Sequence, residues 1–194
     1  EDAQRYHKAY LDAIERLAKE STFGDVRKNP GISIKLSALH PRYEYIKRET
    51  VVDEMVQRVI ALVKPAAAAQ MGLNIDAEEA DRLDISLDII EKFLKHNDLE
   101  GWDGFGVVVQ ASGPRASFVL DWLYALAEKL DRKLRLRARQ QLVHGGGDLV
   151  VRCDLDRGGR EADPRALARS RWDTEELVKT LYQRVNSGEA IEPL

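Results

Sequence analysis

Gly31-Ile-Ser-Ile-Lys35 is a short apolar run closed by an amine, and its pattern returns as Leu73-Asn-Ile-Asp76, Val107-Val-Val-Gln110 and Leu134-Arg-Leu-Arg137. Side chains two apart in a strand share a face. Ile32 and Ile34, Leu73 and Ile75, Val107 and Val109, and Leu134 and Leu136 therefore mark one face. Ser33 and Lys35, Asn74 and Asp76, Val108 and Gln110, and Arg135 and Arg137 mark the other. Each run ends on a polar residue in the same register, and parallel α/β barrels build their ligand sites from the ends of several strands. Lys35, Asp76, Gln110 and Arg137 are accordingly the candidate site residues.

The segments between these runs have helical spacing. Tyr6, Tyr10, Ile14 and Leu17 mark a leading helix, followed by a loop with Gly24 and Pro30 as breakers. Val52, Val56, Val59 and Val63 mark a second helix, either interrupted at Pro65 or bent there and continued through Ala66 to Ala69, and closed by Gly72 as a C-cap. Leu83, Leu87, Ile90 and Leu94 form the stripe of a third, and Asn97 to Gly104 is a turn. Gly113-Pro114 opens a fourth helix carrying Val119, Trp122, Leu123, Leu126 and Leu130. The predicted strands, near 32–36, 73–76, 105–110 and 133–137, lie roughly 30 to 40 residues apart. That is the spacing of a strand, a crossover helix and a parallel strand, and such crossovers are right-handed.

Beyond Ala138 the pattern changes. Gln140 to Gly147 has no helical stripe and ends on three glycines. A strand at 149–153, a charged segment at 154–171 and a helix at 173–186 are expected. The helix has Asp173 or Thr174 as N-cap, Glu175 and Glu176 in its first turn, a Leu177, Leu181 and Val185 stripe, and Gly188 beyond its end. The sequence thus divides into an α/β segment, 1–139, and a divergent tail, 140–194.

With 44% hydrophobic and 32% charged residues among 194, the chain is globular and long enough for one sizeable core. A net charge of −3 gives no general attraction to nucleic acid or anionic membrane. The basic stretch Arg132 to Arg139 is an exception in composition, but its alternation reads as a strand with arginines on one face. The single Cys153 excludes an internal disulfide and a thiolate zinc cluster, which suits a reducing, cytoplasmic compartment. No window of about 18 apolar residues is present to span a bilayer. Glu1 to Lys19 is charged and amphipathic, unlike a signal peptide, and a chain that begins with Glu reads as a piece of something longer.

Two longer segments are distinctive: Gly31-Ile-Ser-Ile-Lys-Leu-Ser-Ala-Leu-His-Pro-Arg-Tyr43 and Asn74-Ile-Asp-Ala-Glu-Glu-Ala-Asp-Arg82. On these the chain resembles the proline dehydrogenase family, specifically the proline dehydrogenase domain of bacterial bifunctional proline utilization A flavoenzymes. The resemblance runs from about Asp2 through Gly101-Trp102 and Val109-Gln110-Ala111 to Arg137. It implies an α/β fold, the first half of a distorted (βα)8 TIM-type barrel that holds FAD at its strand ends. It also implies oxidation of L-proline to 1-pyrroline-5-carboxylate, electron transfer to a membrane quinone, and, in the larger enzymes, an NAD-dependent aldehyde dehydrogenase domain that completes conversion to glutamate. Membrane association is then peripheral and belongs to the full-length enzyme. By the same resemblance Lys35 meets the substrate carboxylate, Asp76 lies in the proline pocket, Gln110 hydrogen-bonds the flavin ring, and Arg137 stands near flavin N5. A cation there stabilises the negative charge that develops on hydride transfer.

After Arg137 the resemblance stops. The family's Leu-Val-Lys-Gly-Ala-Tyr-Trp-type stretch is replaced by Ala138-Arg-Gln-Gln-Leu-Val-His-Gly-Gly-Gly147, and the later pair of adjacent arginines that clamps the carboxylate is missing. A (βα)8 barrel takes about 250 residues, and only 57 follow Arg137. The expectation is a truncated or frame-shifted member with open edges on strands one and four, free to self-associate and binding FAD weakly or not at all.

Other readings compete. Lys35 also fits a snorkelling surface lysine, Asp76 a helix cap, Gln110 a strand-end amide and Arg137 a solvated basic edge. The acids Asp76, Glu78, Glu79 and Asp81 open a helix, where they complement its dipole, and no metal is expected. His7, His40, His96 and His144 are scattered without zinc spacing. His144-Gly-Gly-Gly147 lacks the nucleophile elbow of a hydrolase and the spacing of a phosphate loop. A catalytically dead α/β binding module, and a nucleic-acid binder through Arg132 to Arg139, are the functional alternatives.

Overall fold

The computed structural model describes residues 2–96, 101–110, 115–131, 134–141 and 148–155. The elements, in chain order, are α1 (Asp2–Ala18), β1 (Gly31–Ile34), α2 (Leu36–Leu39), α3 (Arg48–Ala68), β2 (Gly72–Ile75), α4 (Leu83–Leu94), β3 (Phe105–Gln110), α5 (Ala116–Lys129), β4 (Leu134–Gln141) and β5 (Asp148–Leu155). Short 3-10 turns at Tyr45–Lys47 and Ala80–Arg82 lead into α3 and α4.

The sheet order is β1-β2-β3-β4-β5. The first four strands are parallel, with Ile34 opposite Ile75, Ile75 opposite Val107 and Val107 opposite Leu136. The face expected to be apolar is the packed one: Ile34, Leu73, Ile75, Val107, Val109 and Leu134 are buried in one core with residues of α3, α4 and α5. Strand β1 stops at Ile34, short of the expected Leu36, because Leu36 turns into the one-turn helix α2 with Lys35 at its N-cap.

Helix α1 packs through Ile14, with Tyr10, Leu11 and Leu17 beside it, whereas Tyr6 is off the stripe and exposed. In α3, Val52, Val56, Val59 and Val63 are all buried as expected, and Pro65 lies within the helix. The C-terminus of α3 is built differently from the expected glycine cap. Gly72 belongs to β2, and Gln70 takes the left-handed conformation, φ +52°. The Gln70 amide donates to Ala67 O (3.0 Å) and the Met71 amide to Ala66 O (2.9 Å), the paired bonds of a Schellman motif in which glycine is usual. Gln70→Gly should therefore stabilise the chain by about 0.5 to 1 kcal/mol, seen as a Tm higher by about 1 to 4 °C.

The apolar stripe of α4 is rotated from the expected one. Ile85, Ile89 and Phe93 are fully buried, joined by Ile90 and Leu94, while Leu83 and Leu87 are only partly covered. Both sets satisfy helical spacing, and packing against β3 selects the set carrying Phe93, whose ring lies 4.6 Å from that of Phe105. Before β3, the Trp102 indole donates to Met71 O (3.0 Å), tying the entry of β3 to that of β2.

Gly72 and Gly106 lie on the opposite sheet face, where they leave space for longer neighbours. A Cβ at Gly106 would sit 2.0 Å from Asn74 Oδ1 and 3.0 Å from Arg135 O, and one at Gly72 would meet Arg135 Nη1 at 3.1 Å. Asn74 can swing aside, but the Arg135 carbonyl is strand backbone. Gly106→Ala is expected to cost about 1 to 3 kcal/mol, measured as a lower midpoint of urea unfolding.

The four parallel strands of the half-barrel are present as expected, and the difference lies at the far edge of β4. The strand runs to Gln141 rather than ending at Arg137, and β5, longer than the expected 149–153, pairs with it antiparallel over its whole length, Leu134 opposite Leu155 and Gln141 opposite Asp148. The edge of β4, expected to be open, is thus covered by backbone hydrogen bonding, and among the described residues the outermost strands of the sheet are β1 and β5. Of the basic stretch, residues 134–139 are strand in this hairpin, and Arg132 and Lys133 lie outside the described residues. The expected helix at 173–186 lies outside the described residues.

Candidate functional site

Every strand of a parallel sheet points its C-terminal end to the same rim, so the residue after each strand is placed there by topology alone. The Asp76 amide donates to Ile34 O at 2.8 Å, which extends the β1–β2 pairing one residue and sets Lys35 and Asp76 level with each other. The β2–β3 register continues that row to Val108, and Val108 is opposite Arg137. Lys35, Asp76 and Arg137 therefore occupy one row of the sheet. Gln110 is not in that row. It pairs with Arg139, two residues nearer the rim, about 7 Å further along the strand. The sequence spacing equalised the four because β3 is longer than β1 and β2.

Lys35 is exposed, and its backbone amide donates to the Tyr10 hydroxyl (3.1 Å), so α1 holds the turn from β1 into α2. Asp76 is half-buried and its Oδ1 accepts from the Ala77 amide (3.1 Å). Gln110 is exposed at the end of β3. Neither the Lys35 ammonium nor the Gln110 amide has a side-chain hydrogen bond or ion pair among the described residues.

The two distinctive sequence segments clasp each other beyond the strand ends. Glu78 Oε1 accepts the Ser37 amide (3.0 Å), which joins the loop after Asp76 to α2 just after Lys35. The Arg82 guanidinium lies 3.6 Å from Glu78 Oε2 and 3.5 Å from Glu79 Oε2, and 5.7 Å from the centre of the Tyr43 ring. Burial first, and the Glu78 charge second, push the Tyr43 hydroxyl well above its ordinary pKa. Arg115, at the start of α5, bonds Ala80 O and pairs with Asp84 (3.3 Å), fixing the other side of the loop. Sequence reading gave no site role to Tyr10, a stripe position of the leading helix, or to Glu78, an acid at a helix start. Glu78 and Arg82 at i and i+4 were its one available signal.

His40 follows α2 and ties its end to α3. Its Nδ1 accepts from the Arg42 amide (3.1 Å) and its Nε2 lies 3.0 Å from Glu54 Oε2. A backbone amide can only donate, so Nδ1 is unprotonated and Nε2 carries the proton given to Glu54. Arg58, which approaches Glu54 Oε2 at 3.7 Å, also bonds Leu39 O.

A cavity of about 130 Å³ opens between the loop after β2, α4 and the start of α5. Asp76 and Gln110 both line it, as do Tyr43, Glu78 and Ser86. Lys35 is not among its lining residues. The structure therefore brings Lys35, Asp76 and Arg137 together by register, and Asp76 and Gln110 together at the cavity. Among the described residues no group of acids, histidines or cysteines is arranged to hold a metal ion, and no helix is long and apolar enough to cross a membrane.

A helix-covered parallel sheet with a polar C-terminal rim is the first half of an α/β barrel. Residues 1–145 match proline dehydrogenase, and the chain belongs to the proline dehydrogenase family. It is 50% identical over 136 residues to the bifunctional protein PutA of Rhizobium meliloti, which covers 70% of this chain and 11% of that protein. The Escherichia coli (strain K12) protein of the same name is 45% identical over 136 residues, covering 70% and 10%. A crystal structure of a Bradyrhizobium japonicum proline utilization A variant superposes with a TM-score of 0.67 at 49% identity, covering 69% of this chain and 14% of that one. The chain spans about a tenth of the length of the curated relatives it matches.

Proposed function

We infer that this chain carries the first half of an active site for FAD-dependent oxidation of L-proline to 1-pyrroline-5-carboxylate, with a quinone as the final electron acceptor. The observation that carries this reading is the row of Lys35, Asp76 and Arg137 with Gln110 one step above it, at the rim of a sheet whose sequence is half identical to a bifunctional PutA. Bound FAD would supply the two-electron acceptor for the amino acid. Lys35, a compact exposed ammonium, suits the proline carboxylate. Asp76 favours the cationic ring nitrogen and orders neighbouring polar groups, and the Gln110 amide offers donor and acceptor to the edge of a flavin ring. Arg137 contributes a permanently charged guanidinium at the same row.

These residues fit one wall of a flavin site. The opposite wall is where this chain fails to fit, because β5 stands beside β4 in the reverse direction and brings its N-terminal end, not its C-terminal end, to the rim. In isolation the chain is a catalytically silent α/β module.

The test is a chimera joining residues 1–137 to the second barrel half of a PutA relative. It should turn yellow and reduce a dye in a proline-dependent manner. Within it, Lys35→Met should raise the KM for proline by roughly 10- to 150-fold, the value of a charge-assisted hydrogen bond. A yellow, active chimera indifferent to Lys35→Met, Asp76→Ala and Gln110→Ala would overturn the residue assignments.

A further inference from the structure

Two polar atoms in the loops beyond the strand ends are buried with no hydrogen-bond partner within 3.5 Å among the described residues, Tyr43 Oη and Glu78 Oε2, although the Ser86 hydroxyl lies near enough to Tyr43 to favour its ionised form. Tyr43 is 4% exposed, and the Glu78 side chain 9%. Arg82 is too far from Glu78 Oε2, at 3.6 Å, to hydrogen-bond it. A buried polar group left unsatisfied loses its bonds to water and gains none in return. Both residues line the cavity between the loop after β2, α4 and α5, as does Ser86, whose hydroxyl donates to Leu83 O and so keeps its lone pairs free to accept.

The chemistry of this space selects its occupant. Leu36, Ile75, Leu87, Ile90 and Val107 make its walls apolar, which disfavours an ion, and Arg82 already supplies Glu78 with a cation. A water needs about 10 to 15 Å³ of such space and two to four polar partners. The cavity has about 130 Å³, and Tyr43, Glu78 and Ser86 provide the partners. A neutral molecule able to donate and accept at once is what the pair requires.

We propose that the cavity holds an ordered water that accepts from Tyr43 Oη and donates to Glu78 Oε2. This makes Tyr43 and Glu78 positioning residues that lock the loop after Asp76 to the turn after Lys35. Their relevance to proline rests on the function inferred above; the hydrated clasp does not. Glu78 is the central member, since its other oxygen already holds the Ser37 amide.

A crystal structure of the chain should show a water within about 2.6 to 3.2 Å of both atoms. A dry cavity, or a direct Tyr43–Ser86 bond in its place, would overturn the proposal. Amide exchange gives a second readout. In Tyr43→Phe the Ser37 amide should exchange roughly three- to tenfold faster while Val107, in the sheet core, is unchanged. Glu78→Gln should retain the Ser37 protection that Glu78→Ala loses. Equal acceleration at Ser37 and Val107 in Tyr43→Phe would reveal general destabilisation instead of a local clasp, and unaltered Ser37 exchange would show that no clasp runs through Tyr43; either overturns the proposal. No flavin or proline enters either measurement, so their failure leaves the functional reading standing and their success does not prove it.

Discussion

Purified on its own, the chain will be colourless: its absorbance spectrum will show no stoichiometric bound flavin, and added proline will not bleach a dye. The half-site explains why. Lys35 and Gln110 face solvent at the rim, and a ring held only from that side keeps its other face in water, forfeiting the burial that supplies most of a cofactor's affinity. Joining residues 1–137 to a second barrel half should restore both colour and turnover, a change from none to measurable activity. A yellow monomer with stoichiometric FAD from the unmodified chain would sink this expectation. Size-exclusion chromatography of the same sample tests whether the β1 and β5 edges recruit further copies.

Phe93→Ala will cost about 3 to 5 kcal/mol, enough to leave up to about half of the chains unfolded at 25 °C if the stability is at the low end of the usual 5 to 15 kcal/mol. Phe93 is fully buried on α4 and packs on Phe105 at the start of β3. Its removal takes away both the transferred apolar area and the aromatic contact, and α4 cannot collapse inward without dragging the loop that carries Glu78. Far-UV circular dichroism with urea titration measures the loss. Phe93→Leu, which retains most of the volume, should cost much less, and equal losses in the two variants would show that packing at this position is not what matters.

The parallel sheet was legible because a period of two survives in three of its four runs, Val107-Val-Val109 being apolar throughout, and because Ile34, Ile75, Val107 and Leu134 are apolar where the helices cover them. The resemblance located Lys35, Asp76, Gln110 and Arg137, but their relative heights depended on strand lengths, and β3 overshoots by one repeat. Helix faces were less determined: Leu83 and Leu87 compete with Ile85 and Ile89 at equal spacing, and only the position of Phe105 decides between them. The cap at Gln70 was hidden because a glutamine rarely adopts a positive φ, so Gly72 attracted the assignment. The direction of β5 has no signature in its own composition. The clasp of Tyr43, Glu78 and Arg82 is a long-range contact between two loops, which periodicity does not report.

The antiparallel pairing of β5 also sets the terms of any complementation in trans. A separately supplied barrel half must add its first strand to the edge of β4, and that edge is already taken by a segment of the same chain, eight residues opposite eight. A tethered competitor acts at an effective concentration of the order of millimolar, so a free partner at micromolar levels is outmatched unless it binds about a thousandfold better. Chains cut after Gln141 are relieved of that rival, and assembly should be governed by whether the hairpin's return strand is present more than by how well the two halves fit.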